Sequence, residues 1–497
     1  MQSTDLKRRA FVGSVWSLLS TGGRQAIAFV LFIFIARKIG PADIGLIAVA
    51  MIVIDIVGFA SRFGQVEALQ RQADLSDRLA STSFWMLAVA GPATSLFVVA
   101  GAVLSGGAVS PDFRHVLMLL APLCALQAWN AIPEALLKRR FDFRALAART
   151  WLATVVGGLL GAYLAVRGAG VYALVAQRLS SAAVQTVTLW AMLRWRPEMT
   201  FDRSAAVALA RTGGGILLSN ISGIVNRRLV DGITGAILGL TQLGHFRLGW
   251  RFFDFIVQFS VTPLSAVALS AFSKVQHDPE RLTRVYLRLT QFVALASLPT
   301  FFGLAATADL LVPVVLGDRW RESIIVMQLL GFVMLGGVVN YFFGTALIAV
   351  GKVNIVVRQS VIQIFGTALF VAVGAHFGII DVLLAIIARA LMVAVYNIAA
   401  LRKEIGLSLA ALFQSLMPPV VASGVMVAAV RFGMLELAGS MPGIVLLGVL
   451  VTLGVATYGA ALLIGDFVGL WRGYIRSALT SLGGAVIRRP AATMAKA

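Results

Sequence analysis

The chain has 497 residues, of which 59% are hydrophobic and 13% are charged, and its net charge is +20. A soluble chain carries roughly 25% charged residues, so this composition excludes a water-soluble globular protein and predicts an all-α polytopic membrane protein. Because Cys124 is the single cysteine and the four histidines are far apart in sequence, we expect no disulfide, no metal site and no cofactor.

The first apolar run follows Lys7, Arg8 and Arg9 and continues to about Ala36. It resembles a signal peptide but has no small-residue cleavage site, so we interpret it as a retained first transmembrane helix. Apolar windows of about 20 residues recur along the chain and predict about fourteen transmembrane helices. They are residues 14–36, 44–64, 82–105, 115–137, 147–166, 169–193, 212–237, 244–272, 285–308, 322–350, 356–377, 379–400, 409–431 and 442–465.

The connections between these helices are no longer than about 20 residues, which leaves no room for a soluble catalytic domain. Connections on one side hold 27 Lys and Arg, and those on the other side hold 7. This bias predicts that both termini are cytoplasmic, and it explains most of the net charge without nucleic acid. Accordingly, the basic stretch Leu136–Arg149 is interpreted as a topological anchor, and Trp320 in Leu316–Glu322 as a residue of the interfacial aromatic belt rather than a sugar contact.

The chain contains a repeat at an offset of 199 residues. Ile39–Gly45 (IGPADIG) corresponds to Leu238–Gly244 (LGLTQLG), and Asp55 corresponds to Asp254. Each stretch joins a long apolar helix to the next, which predicts a six-helix unit repeated in the same orientation. The predicted parts are an N-terminal six-helix lobe, a cytoplasmic linker, a C-terminal six-helix lobe, two additional helices and a basic cytoplasmic tail, at residues 1–193, 194–211, 212–400, 401–465 and 466–497.

Charged residues inside the predicted helices concentrate on the first, second, seventh and eighth helices. They are Arg24, Asp55, Arg62, Arg227, Arg228, Asp231, Arg247, Arg251 and Asp254. Ion pairs that hold the bundle together, such as Arg228 with Asp231, are one explanation. The arginines outnumber the aspartates, however, and a buried cation without a counter-charge costs several kcal/mol.

The arginine excess therefore predicts a cationic cavity for an anionic substrate, and arginine suits bidentate binding of phosphate or carboxylate. We assign Arg24, Arg227, Arg228, Arg247 and Arg251 to binding of the anionic headgroup. Asp55, Arg62, Asp231 and Asp254 are assigned either to ion coupling or to structural pairing. The sequence contains no Walker A, HExxH, GxSxG or Asp-x-Asp pattern, so we expect a protein that is not an enzyme.

Five ordered motifs carry a resemblance to a known family. They are GPADIGLIAVA, ALLKRRFDFRALA, RRLVDGITGAILGLTQLGHFRLGWR, QHDPERLTRVYLR and LVPVVLGDRW. Together they resemble the bacterial polysaccharide flippases of the Wzx type, which belong to the multidrug/oligosaccharidyl-lipid/polysaccharide (MOP) exporter superfamily. The resemblance runs from about residue 10 to residue 465.

This resemblance implies a V-shaped fold of two six-helix lobes around a cationic cavity. It also implies alternating-access transfer of an undecaprenyl-pyrophosphate-linked oligosaccharide to the outer leaflet of the bacterial inner membrane. The partners would be this lipid-linked saccharide and the bilayer. Any protein partners would be a polysaccharide polymerase and a co-polymerase. A lipid II flippase and a drug/cation antiporter remain alternatives, as does, from another class, a membrane-embedded polymerase or ligase.

Overall fold

The computed structural model describes residues 22–62, 69, 76–140 and 142–471, without the side chains of residues 61, 143, 205, 208–224, 227, 266 and 267. Throughout these ranges the chain forms helices joined by short turns, and no strand occurs in them. An α-helix pairs its backbone N–H and C=O groups internally, and lipid hydrocarbon offers these groups no hydrogen-bond partner. The predicted all-α membrane fold is thus confirmed.

Within the described ranges, seven α-helices precede the predicted linker. They are α1 (22–38), α2 (Pro41–Ser61), α3 (Asp77–Leu104), α4 (Pro111–Leu120), α5 (Pro122–Arg139), α6 (Phe143–Val166) and α7 (Val171–Met192). Their starts follow from local sequence. The Ser76 and Ser110 hydroxyls accept from backbone N–H groups three residues on, as N-caps do, and proline fits the first turn of α2, α4 and α5.

Nine α-helices follow in the part of the chain up to residue 471. They are α8 (Arg203–Ser260), α9 (Thr262–Ser273), α10 (Pro279–Leu311), α11 (Ser323–Asn340), α12 (Phe343–Ala349), α13 (Val353–Ala375), α14 (Ile379–Ile405), α15 (Leu409–Glu436) and α16 (Gly443–Phe467). Within α8 the helix is interrupted at Gly239, where φ is +84° and ψ is 174°. Since only glycine adopts such a conformation without strain, this break divides α8 into a first and a second arm.

Ten helical stretches of the described residues are long and apolar enough to cross a membrane, with α4 and α5 counted as one stretch and α11 and α12 as another. The number is eleven if the bent pair Arg228–Ser260 and Thr262–Ser273 forms one span. The ten correspond to ten of the fourteen predicted helices, and the count of fourteen is not confirmed. The 22-residue helix α7 falls outside the ten because Gln177, Arg178 and several hydroxyl residues lower its hydropathy. The first predicted helix begins outside the described residues.

The chain divides into two compact units. The first comprises the described parts of Met1–Arg251 with Val315–Ser323 and Gln363–Ala385. The second comprises Phe252–Val314, Ile324–Ile362 and the described part of Ile386–Ala497. The lobe boundaries inferred from the repeat stay a prediction.

Each unit has an apolar core of its own. In the first, the core at one end of α3, α5 and α7 includes Phe84, Ile132 and the buried Trp195. The chain beyond α7 is held against this core, because the Trp85 indole donates to the Glu198 carbonyl at 2.9 Å. In the second, α15 and α16 pack on α10 around Met426 and Leu450, and the Tyr458 hydroxyl donates to the Leu295 carbonyl at 3.0 Å.

The two repeat stretches contact each other within the first unit. A Cβ atom on Gly45 would lie 1.8 Å from the Leu240 carbonyl oxygen, and one on Gly244 would lie 1.9 Å from the Pro41 carbonyl oxygen. Gly45 and Gly244 are equivalent in the repeat, and so are Pro41 and Leu240. The elbow between α1 and α2 (39–41) and the elbow between the arms of α8 (238–240) therefore meet through reciprocal backbone contacts that require glycine.

Candidate anion-binding site

Charged side chains from α2 and both arms of α8 form a connected group in the first unit. The Arg228 guanidinium donates to the Asp55 carboxylate through one nitrogen and to the Asp231 carboxylate at 3.3 Å through another. Asp55 is on α2, 173 residues away from Arg228 in sequence. This contact ties the first arm of α8 to α2.

Asp231 is the most buried member of the group, with 2% of its side chain exposed. It also accepts from Arg247 on the second arm, at 3.4 and 3.5 Å. The break at Gly239 turns α8 so that Arg247 reaches the carboxylate of Asp231, which lies 16 positions earlier in the chain. A buried carboxylate between two guanidinium groups is stabilised by charge-assisted hydrogen bonds, and it fixes the direction of both cations.

Two further arginines lie close to this group. Arg178 on α7 interacts electrostatically with Asp55 as well as with Arg228, Arg247 and Arg251. Part of the Arg178 side chain is exposed. The Arg251 guanidinium lies 5.5 Å from the centre of the Phe32 ring, within the range of a cation–π contact. We call the six residues the arginine cluster: Arg178, Arg228, Arg247, Arg251, Asp55 and Asp231. It carries two more positive than negative charges.

Arg178 is a residue that the sequence analysis passed over. Its signal was present, because a charge inside a long helix is costly and marks a cavity or a partner. The predicted site residues all lie on helices related by the repeat, and α7 is not one of those helices. The polar neighbour Gln177, whose Cβ and carbonyl pack against the glycines of α6, accompanies it on the same helix.

Four of the predicted residues are not among the described members of this cluster. Arg24 lies on α1 and has no ion-pair partner among the residues that the structure describes. Arg62 ends α2, and its Nε donates to the Gly58 carbonyl one turn earlier at 3.0 Å. Asp254 belongs to the second unit, and the side chain of Arg227 lies outside the described residues. The binding roles of Arg24 and Arg227 stay predictions, as do the roles of Arg62 and Asp254 in ion coupling or structural pairing.

Trp320 corrects one sequence interpretation. Its side chain is fully buried, and its indole donates to the Ala36 carbonyl at 2.9 Å. A side chain of the aromatic belt contacts the lipid headgroups. A completely buried side chain cannot do so, and the belt interpretation is therefore wrong.

The fold defines the class of protein. The chain superposes on a solved structure of the lipid II flippase MurJ in an inward closed conformation with a TM-score of 0.67, at 12% identity, over 91% of this chain and 98% of that one. At such low identity the likeness concerns the fold. The chain therefore shares the helical fold of that flippase.

Sequence comparison narrows the class to a family. Residues 34–325, more than half of the chain, match the family described as "Polysaccharide biosynthesis protein", and the chain belongs to this family. The resemblance to the polysaccharide flippases of the MOP exporter superfamily is confirmed.

Two relatives illustrate the membership. The succinoglycan biosynthesis transport protein ExoT of Rhizobium meliloti (strain 1021) is 29% identical over 319 residues, which are 63% of this chain and 64% of that protein. The chain thus spans just under two thirds of that relative. The lipopolysaccharide biosynthesis protein WzxC of Escherichia coli (strain K12) is 23% identical over 364 residues, which are 72% of this chain and 74% of that protein.

Proposed function

We propose that this protein transfers an undecaprenyl-pyrophosphate-linked oligosaccharide from the cytoplasmic to the outer leaflet of the bacterial inner membrane, for the synthesis of a surface polysaccharide. The proposal is carried by the arginine cluster, in which four arginines and two aspartates meet on helices of a membrane protein. Family membership and the name of the relative ExoT as a transport protein support it.

The charge of the cluster suits a diphosphate diester. Such a linkage carries two negative charges at neutral pH, and the cluster has an excess of two positive charges. A buried cation that lacks a counter-charge costs several kcal/mol, so the cluster is most stable when an anion of matching charge is bound. A cationic drug would meet the opposite of what it needs, because carboxylates are the minority here.

The aspartates set the resting arrangement. Asp231 is inaccessible and keeps Arg228 and Arg247 aimed at one place, whereas Asp55 retains 28% of its side-chain surface. A phosphate oxygen that approaches Arg228 competes with Asp55 for the same guanidinium. Arginine binds phosphate through two parallel hydrogen bonds. This geometry makes the exchange more favourable than it would be for a cation that acts as a single point charge.

The transport cycle is alternating access between the two predicted six-helix lobes. The headgroup enters from the cytoplasmic side while the polyprenyl tail stays in the lipid, so the chain needs to shield only the polar part of the cargo. Both termini are cytoplasmic in this proposal, in agreement with the charge bias of the connections. No chemical bond changes, and the protein acts as a transporter rather than an enzyme.

Removal and replacement of the protein in its own cell test this function. Deletion should cause a lipid-linked saccharide with a diphosphate to accumulate in the cytoplasmic leaflet and should abolish the surface polysaccharide. Plasmid-borne wild type should restore export, whereas the double variant Arg228→Ala/Arg247→Ala should not, at equal protein level. Arg281→Ala is the matched control, because this arginine pairs locally with Asp278 and is 70% exposed.

The identity of the accumulating lipid decides the outcome. An oligosaccharide repeat unit on undecaprenyl pyrophosphate supports the proposal. Accumulation of lipid II instead would replace it with a role in cell-wall synthesis, and normal export in the double variant would remove the arginine cluster from the transport path.

A further inference from the structure

The connection between α10 and α11 is a short, bent segment that packs in the first unit. We call Val315–Ser323 the strap. Its backbone departs from the α-helix on both sides of Gly317, through a π turn at Val312–Leu316 and a 3₁₀ turn at Asp318–Trp320. Gly317 itself has a φ of +97°, which favours glycine. These breaks direct Trp320 inward, where it is completely buried.

The strap caps the end of α1. The last carbonyls of a helix have no partner within it and must find a donor elsewhere. The Trp320 indole donates to the Ala36 carbonyl at 2.9 Å, and the Arg319 guanidinium donates to the Lys38 carbonyl at 3.3 Å. In return, Arg37 donates to the Val315 carbonyl at 3.5 Å.

The strap also holds the second arm of α8. The Gln242 amide donates to the Glu322 carboxylate at 2.9 Å, and His245 Nε2 lies 3.4 Å from the same carboxylate. The other ring nitrogen of His245 shares a hydrogen bond with the Ser323 hydroxyl at 2.9 Å. The His245 ring also meets Trp320 edge-on, with ring centres 5.6 Å apart.

The strap thus binds the helix ends next to both elbows. The two elbows already contact each other through Gly45 and Gly244. His245 is followed two residues later by Arg247, a member of the arginine cluster. Both lie on one uninterrupted helical segment, so a displacement of Arg247 is transmitted to His245. The contacts of the strap and the arginine cluster are therefore connected through one short, rigid helical segment.

We propose that the strap is a latch that must release the elbows before cargo can leave the protein. This inference rests on the proposed function and on the predicted orientation, which puts the elbows at the outer end of the helices. An anion that draws Arg247 away from Asp231 moves the second arm of α8 and loosens the grip of His245 on the strap. Opening of the outer end then follows arrival of the cargo and does not precede it.

A reversible cross-link between strap and helix tests the latch. In the variant Cys124→Ala/Gln242→Cys/Glu322→Cys, thiols replace two side chains whose polar atoms are 2.9 Å apart. A short bis-methanethiosulfonate reagent links them in purified full-length protein in liposomes that contain an undecaprenyl-pyrophosphate-linked oligosaccharide. Transfer between leaflets should stop on linking and return on reduction with dithiothreitol.

The control places the same link inside the strap. Cys124→Ala/Asp318→Cys/Arg321→Cys replaces an exposed pair three residues apart, and its link should leave transfer unchanged. Undiminished transfer by the linked Gln242–Glu322 variant would overturn the latch and leave the proposed function standing. Absence of transfer by wild-type protein in the same liposomes would instead overturn the proposed function.

A second variant tests the latch without a cysteine pair. Trp320→Phe keeps a ring in the buried site but removes the donor to Ala36. In a Cys124→Ala/Ile39→Cys background, residue 39 lies at the first elbow and is 2% exposed with the strap in place. A membrane-impermeant maleimide should label Cys at position 39 faster in the Trp320→Phe variant, and equal labelling rates would overturn the latch.

Discussion

The Asp231 carboxylate binds Arg228 at 3.3 Å and Arg247 at 3.4 Å, so one buried side chain orients two arginines from opposite arms of a bent helix. Asp231→Ala would leave both guanidinium groups close together without their shared counter-charge. Breaking a buried pair in this way costs about 3–5 kcal/mol.

We therefore expect Asp231→Ala to unfold at a clearly lower temperature than the wild type in detergent. Asp318→Ala, which removes the partner of Arg321 from an exposed pair, should change the unfolding temperature little. Equal effects of the two substitutions would mean that Asp231 does not position the arginines.

Arg178 contributes charge to the cluster without an ion-pair partner among the described residues. Arg178→Ala should lower transport, because it halves the excess of positive charge, and should leave the thermal unfolding temperature near that of the wild type. Arg178→Lys keeps the charge but loses the planar fork, so it should restore transport in part. Measured transfer rates in liposomes, with Arg167→Ala at the exposed end of α6 as control, check this order.

The elbow glycines leave no space for a side chain. Gly45→Ala or Gly244→Ala places a Cβ within 2 Å of a backbone carbonyl oxygen, so the elbows must separate. We expect a large loss of folded protein in size-exclusion chromatography for either variant. Gly101→Ala and Gly448→Ala, where no heavy atom lies within 4 Å of the added Cβ, should elute like the wild type.

The additional helix α15 is joined to α10 in the second unit by an ion pair between Arg431 and Asp309, and Gln328 donates to the same aspartate at 3.0 Å. Arg431→Asp should lower the unfolding temperature, because two carboxylates then face each other. The double variant Asp309→Arg/Arg431→Asp should recover part of the loss. Failure of the second change to compensate would mean that the pair does not hold α15 in place.

The sequence was sufficient to predict the helical membrane fold and most of the cluster. Long apolar windows and rare internal charges are strong signals, because hydrocarbon penalises both broken helices and charged side chains. Asp55, Arg228, Asp231, Arg247 and Arg251 were identified in this way.

The Arg228–Asp231 pair follows from helical spacing and is present in the structure, whereas the long-range pairs within the cluster could not be predicted. Helical spacing relates Asp231 to residues three or four positions away, whereas its contact with Arg247 depends on the bend at Gly239. The capping role of Trp320 was missed for the same reason, since its acceptor lies 284 residues earlier in the chain. Local periodicity carries no information about such long-range partners.

The reciprocal contact at Gly45 and Gly244 has a consequence for the origin of the chain. Each glycine packs on the backbone of the other repeat at the residue equivalent to the one four positions before itself, as two identical molecules do across a two-fold axis. A half-length ancestor could therefore have made this contact with a second copy of itself. Fusion of two such copies would leave them free to diverge in charge at the arginine cluster, while neither could replace its glycine without cost to the other.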